Sequence, residues 1–157
     1  MLIITSDNFP QYYREHIQTV YRIALGIVRI PEDIAADCFT AMIRKAEFND
    51  DAHLKAWLIV SAEHKAINVV KSARMKRNVP LELLPERSAD INEHSHDLRE
   101  MVFGLPDKLK TVTYLYYYED IPVNDIAATV GISENNVYRR LAQARKLLKL
   151  ALKEGEI

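Results

Sequence analysis

The sequence predicts an all-α protein built as two small helical domains joined by a linker. Three observations predict it. Glycine is scarce, at four of 157 residues, and β-branched runs are short, so helices are favoured over sheets. Apolar residues recur at three- and four-residue spacing along most of the chain. Between Val79 and Asp97 that pattern stops, where Pro80 and Pro85 interrupt and five acids face one arginine. The expected layout is a domain over 1–78, an acidic linker over 79–97 and a second domain over 98–157.

The first helix is expected from about Pro10 to Val28, since proline is tolerated in a first helical turn. The second starts at Pro31-Glu32-Asp33, a proline at the first helical position followed by acids that suit the positive end of the helix dipole. Its apolar positions Ile34, Ala35, Cys38, Phe39, Met42, Ile43 and Ala46 recur at helical spacing. The third opens at Asn49-Asp50-Asp51 and runs to about Lys76, with Leu54, Leu58, Ala62, Ala66, Val69 and Ala73 as its buried stripe. Helices resume near Ser95. One ends at Gly104-Leu105, the next runs from Pro106 to Glu119, a short one covers Val123 to Val130, and a long one covers Ser133 to about Glu154. The rings of Tyr114, Tyr116, Tyr117 and Tyr118 are expected mostly in the core rather than stacked on bases.

Composition removes several functional classes. The formal net charge is only −1, so any nucleic-acid binding must come from local patches rather than from the chain as a whole. Cys38 is the single cysteine, which excludes an internal disulfide and a multi-cysteine zinc site and fits a reducing compartment. Phe39 and Met42 beside it suggest a buried, inert thiol. The opening residues have no basic stretch and only three apolar residues in sequence, so no secretory signal is expected. No apolar run approaches the ~20 residues of a membrane span, and a cytoplasmic protein is the expectation. His94 and His96 lie two apart in the acidic stretch with no further ligand at metal-binding spacing. Glu63-His64 lacks the second histidine of a zinc protease, and no phosphate loop or nucleophile elbow is present. Neither a cofactor nor a metal is therefore expected, nor an enzyme.

The strongest local signal is Val123-Asn-Asp-Ile-Ala-Ala-Thr-Val-Gly-Ile-Ser-Glu-Asn-Asn-Val-Tyr-Arg-Arg-Leu141. A helix-turn-helix needs a small residue where its helices cross, supplied by Ala127. It also needs a residue that accepts positive φ in the turn, supplied by Gly131. Ile126, Val130, Ile132, Val137 and Leu141 are the apolar pegs, and Ser133 is placed to cap the second helix. On that helix Val137, Leu141, Ala144, Leu148 and Leu152 form the inner stripe, while Asn135, Arg139, Gln143 and Lys146 lie opposite. Asn, Gln and Arg are the side chains able to make bidentate hydrogen bonds to base edges in the major groove. From Arg139 to Lys153 there are six basic residues and no acid.

With the helix before it, Leu105-Pro106-Asp-Lys-Leu-Lys-Thr-Val112-Thr-Tyr-Leu115, this segment resembles region 4 of bacterial sigma factors, especially the extracytoplasmic-function (ECF) group. A LuxR-type effector domain shares the central motif but not the Leu-Pro-led helix in this register. The resemblance implies that Ser133, Asn135, Asn136, Tyr138, Arg139, Arg140, Gln143 and Lys146 face a −35 promoter element. Pro31-Glu32-Asp33-Ile34-Ala-Ala-Asp37-Cys38-Phe39 resembles the acidic helix of region 2. That likeness implies that Glu32, Asp33 and Asp37 dock on the clamp helices of the polymerase's largest subunit. Leu54-Lys-Ala56-Trp57-Leu58 resembles the start of the helix facing the −10 element, although Asp37-Cys38 stands where the family usually has Gln-Glu, and Glu63-His64 where it has Arg-Asn. Trp57, Ser61, His64, Asn68 and Lys71 are spaced four, three, four and three apart, forming one polar stripe suited to unpaired DNA, with Arg74 continuing the basic end.

The function implied is a dissociable specificity subunit of RNA polymerase that binds core and directs promoter-specific initiation. Its partners would be the clamp helices, the flap of the second-largest subunit and promoter DNA, with an anti-sigma factor as a further candidate and no membrane insertion. Two alternatives stay open: a stand-alone helix-turn-helix regulator, and a polymerase-binding protein that does not itself direct initiation. An extended linker over 79–97 spans at most about 60 Å, near two turns of duplex at about 34 Å each.

Overall fold

In a computed structural model the chain divides into two compact units at residue 89, and the described residues are 1–77 and 98–155. The stretch read as an acidic linker, with His94 and His96, lies outside them, as do residues 95–97 at the expected start of the fourth helix.

The first unit orders β1 (Leu2–Ile3), α1 (Phe9–Leu25), α2 (Glu32–Lys45), β2 (Glu47–Phe48) and α3 (Asp51–Arg77). The Asn8 side chain bridges the turn before α1: its Oδ1 accepts the Thr5 N–H at 2.8 Å, and its Nδ2 donates to the Ile3 carbonyl at 2.8 Å. Pro10 sits in the first turn as expected. The helix ends three residues before Val28, because the Ile27 and Val28 N–H groups both fold back onto the Ala24 carbonyl. Pro31 is the residue before α2 rather than its first residue, and its carbonyl accepts the Ala35 N–H at 2.9 Å.

The end of α2 differs from the sequence expectation. Ile43 is 52% exposed, and Ala46 closes the helix at φ 61°, a left-handed position that costs a non-glycine residue. Its carbonyl accepts the Ile4 N–H at 2.7 Å, so pairing with the N-terminus holds the turn. The antiparallel β1–β2 pair, Leu2 opposite Phe48, is the only strand pairing among the described residues and was not expected. Two residues are too few for an alternation to show.

Core packing in this unit joins Val20 and Ala24 of α1, Ile34, Cys38, Phe39 and Met42 of α2, and Leu54, Leu58, Ala62 and Ala66 of α3. Burial pushes the Cys38 thiol up to about 11, so it is an inert core group at neutral pH. Val69, expected in the buried stripe, is 50% exposed, and Ala73 is only half-buried. At 27 residues, α3 is about 40 Å long, while α1 and α2 at 17 and 14 residues reach about 26 and 21 Å, so its last turns outrun the layer that covers it.

The second unit orders α4 (Leu98–Phe103), α5 (Asp107–Tyr117), α6 (Val123–Val130) and α7 (Glu134–Gly155). Val102, Leu105 and Leu109 close against Ala144 and Leu148 of α7. Pro106 leads α5, its carbonyl accepting both the Leu109 and Lys110 N–H groups at 2.9 Å. The helix stops at Tyr117 rather than Glu119, because Asp120 turns at φ 53° and drops Ile121 into the core. Tyr116, Tyr117 and Tyr118 are exposed, against the expectation of core packing. Three consecutive helical residues point about 100° apart, and the inward side is already filled by Val112 and Leu115.

A candidate nucleic-acid interface on the second unit

The helix-turn-helix forms from the residues that the spacing singles out. Gly131 sits at φ 80° and its N–H donates to the Ala127 carbonyl at 2.8 Å, closing α6 with a left-handed residue. A Cβ added there meets nothing within 4 Å, so the demand for glycine is conformational, not steric. Ser133 caps α7: its Oγ accepts the Asn136 N–H at 3.1 Å and its carbonyl accepts the Val137 N–H at 3.0 Å. Of the pegs, Ile126, Val137 and Leu141 are buried and Val130 and Ile132 half-buried. Ala144 and Leu148 complete the inner stripe, and the Leu152 side chain lies outside the described ones.

Burying that stripe leaves the opposite side of α7 in solvent. Asn135, Arg139, Gln143 and Lys146 are all exposed, within an arc of about 80° around the axis. Tyr138, 56% exposed, flanks one side of the arc, and Asn136 and Arg140, both half-buried, flank the other. The Arg139 guanidinium is anchored, with Nη1 donating to Asn136 Oδ1 at 3.3 Å. Ser133 is exposed at the head of the helix. The arrangement presents amides and a guanidinium along one helix edge with its apolar side fixed to a core, which is the geometry that enters a major groove.

The first unit scatters its candidates more widely. His64, Asn68 and Lys71 share an exposed face of α3, and Ser61 is half-buried on the same side. Trp57 lies half-buried against the core, its ring edge-to-face with Phe48 at 5.4 Å. Arg74, three residues on from Lys71, is half-buried. On α2, Glu32, Asp33 and Asp37 are exposed, and the Tyr21 hydroxyl donates to Glu32 Oε1 at 2.8 Å across from α1. Beside Glu32 runs an open groove of about 440 Å³ lined chiefly by Tyr13, Ile17, Tyr21, Phe39 and Ile43.

Sequence reasoning missed three contacts. At the head of α3, the His53 N–H donates to Asp50 Oδ1 at 2.8 Å while His53 Nδ1 accepts the Asn49 N–H at 3.0 Å, a variant of the capping box in which histidine replaces glutamate and reaches one residue beyond the cap. The spacing of Asp50 and His53 was visible, but the capping box is usually sought as Ser or Thr followed by Glu or Gln. The other two, Tyr21–Glu32 and Arg145 Nη1 donating to Tyr117 Oη at 3.0 Å, join residues 11 and 28 apart, beyond what periodicity reports. No group of three or more metal-ligating side chains occurs among the described residues, and no helix among them is long and apolar enough to cross a membrane.

Comparison with known proteins matches residues 12–75 to the family Sigma-70 region 2 and residues 95–148 to the family Sigma-70, region 4. The chain is 27% identical over 150 residues to the RNA polymerase sigma factor SigV of Bacillus subtilis (strain 168), spanning 91% of this chain and 90% of that protein. It is 23% identical over 158 residues to the ECF RNA polymerase sigma factor SigM of the same organism, spanning 94% and 97%. Among solved structures it is similar to the sigma factor RpoE of Bartonella quintana, seen in complex with the anti-sigma factor NepR, with TM-score 0.64, 18% identity and coverage of 93% and 97%. That last likeness is one of fold.

Proposed function

The chain belongs to the sigma-70 family, in its extracytoplasmic-function group, and from that premise we propose that it directs promoter-specific initiation by reading a −35 and a −10 element. Sigma factors bind RNA polymerase and are initiation factors, not enzymes. In this reading the unit over 98–157 contacts the −35 duplex through Ser133, Asn135, Asn136, Tyr138, Arg139, Arg140, Gln143 and Lys146. The unit over 1–78 docks on the clamp helices through Glu32, Asp33 and Asp37 and meets the opened −10 strand with Trp57, Ser61, His64, Asn68, Lys71 and Arg74. The flap of the second-largest subunit is the second polymerase contact, residues 79–97 join the two units, and the protein works in the cytoplasm. A regulatory partner of the anti-sigma kind is part of the proposal, since the similar RpoE is seen with one.

The observation that carries this reading is the α7 face: a capped helix, anchored by a buried stripe, with Asn135, Arg139, Gln143 and Lys146 exposed along one edge. On α3, Trp57 keeps only part of its ring open for stacking, so the polar part of the stripe, His64, Asn68 and Lys71, carries most of the −10 assignment. The test is to mix the purified protein with core polymerase, follow complex formation, and transcribe a promoter-bearing template. A stable complex and a start-site-specific transcript are expected. A complex without a specific transcript identifies a polymerase-binding protein that does not direct initiation, and specific DNA binding without a complex identifies a stand-alone regulator.

A further inference from the structure

The basic run of α7 is not uniform. Asn135, Arg139, Gln143 and Lys146 share one arc, but Arg145 lies about 100° round the helix from Lys146, beside the buried stripe. Its guanidinium points to α5, where Nη1 donates to Tyr117 Oη at 3.0 Å. The Tyr117 ring is itself held edge-to-face on Tyr116, centroids 4.9 Å apart at 86°. Tyr117 is 47% exposed, so burial does not fix its place; the ring contact and the hydrogen bond to Arg145 do. The two helices also pack through apolar side chains, Leu109 of α5 against Ala144 and Leu148 of α7. Such contacts resist separation but tolerate small rotations about a helix axis. A polar tether at the rim of that packing removes the rotation.

We propose that Arg145 is a positioning residue, not a DNA contact: by tethering α7 to Tyr117 it sets the angle at which Arg139 and its neighbours meet the −35 bases. The inference rests on the −35 reading of α7. Bidentate pairing with a base edge needs the side chain held within about 0.5 Å and 10–20°, whereas a phosphate contact from a flexible lysine does not. Loosening the tether therefore removes sequence discrimination and leaves the electrostatic share of binding in place. Tyr117, which no helix-turn-helix pattern includes, becomes part of the specificity apparatus.

The experiment uses the assembled holoenzyme on a promoter duplex and on the same duplex with the −35 block scrambled, over a range of salt concentrations. Tyr117→Phe removes only the accepting oxygen and keeps the ring on Tyr116. Expected are a roughly threefold to tenfold loss in the ratio of the two affinities, an unchanged salt slope, and unchanged assembly with core. Arg145→Ala should produce the same loss and the same slope, and the double variant should be no worse than either alone. If Arg145→Ala flattens the slope by about 0.9, the amount for one phosphate contact, while Tyr117→Phe keeps full discrimination, Arg145 touches DNA and the tether is wrong. Additive losses in the double variant overturn it as well. A wild-type holoenzyme indifferent to the scrambled block overturns the −35 reading itself, a result distinct from either of these.

Discussion

At the head of α3 an imidazole does what a glutamate usually does, and it does so only when neutral. His53 Nδ1 accepts the Asn49 N–H, so protonating it breaks that bond and sets a cation at the positive end of the helix dipole. Burial holds its pKa below the ordinary 6.5, and Lys45 pushes the same way against Asp50. Between the folded and unfolded values the unfolded chain binds the proton and the native one does not. The stabilisation is therefore present above about pH 6.5 and is lost as pH falls through the folded value. His16, also lowered by burial, contributes in the same direction. Melting temperature should thus fall from about pH 7 to about pH 5, and His53→Gln should flatten the curve; an equally steep fall in that variant refutes the role. On α7 the same scale separates reading from attraction. Arg139→Ala should cost about 1–3 kcal/mol at one −35 position and relax preference there. Lys149→Ala should weaken all sequences alike and lower the salt slope by about 0.9. Matching uniform losses from the two variants would contradict the assignment of Arg139 to a base.

Among elements, α6 and α7 were the most legible, and the reason is local. Ala127, Gly131 and Ser133 each meet a backbone demand within a few residues of themselves, so the bounds of α6 agree with the sequence reading. The end of α2 was less legible. Ile43 keeps helical spacing with the core positions yet stays exposed, and the chain leaves through Ala46 at positive φ because β2 must pair with Leu2, some 45 residues earlier. The aromatic end of α5 misled for a related reason: composition says that tyrosines bury, but three in succession cannot share one side of a helix. On α3, spacing placed His64, Asn68 and Lys71 together, and the structure leaves them exposed, while Trp57 is partly claimed by Phe48. The double variant His64→Ala, Asn68→Ala should keep core binding and −35 duplex binding while reducing strand opening, read by permanganate reactivity of the −10 thymines. Normal opening removes this stripe from −10 reading. For α2, reversing Asp33 and Asp37 to Lys should weaken assembly with core polymerase strongly, since like charges at an interface cost several kcal/mol, with helical content intact. Unchanged co-purification would take the docking role from this helix.

For the whole molecule, a net charge of −1 means that neither polymerase nor DNA is found through overall charge. The signs are instead separated by face: acids exposed at the start of α2, cations exposed along α7. Each unit has its own buried core, so each presents its face on a rigid support. Two supports presenting faces of opposite charge suit a protein that meets a basic protein surface with one and a phosphate backbone with the other. The most direct test of that account is to sequence the 5′ ends of transcripts made by core polymerase with this protein on fragmented genomic DNA. The account predicts discrete starts preceded by two shared sequence blocks, with Arg139→Ala relaxing the upstream block alone. Starts scattered as with core polymerase by itself, or starts sharing no upstream block, would contradict it.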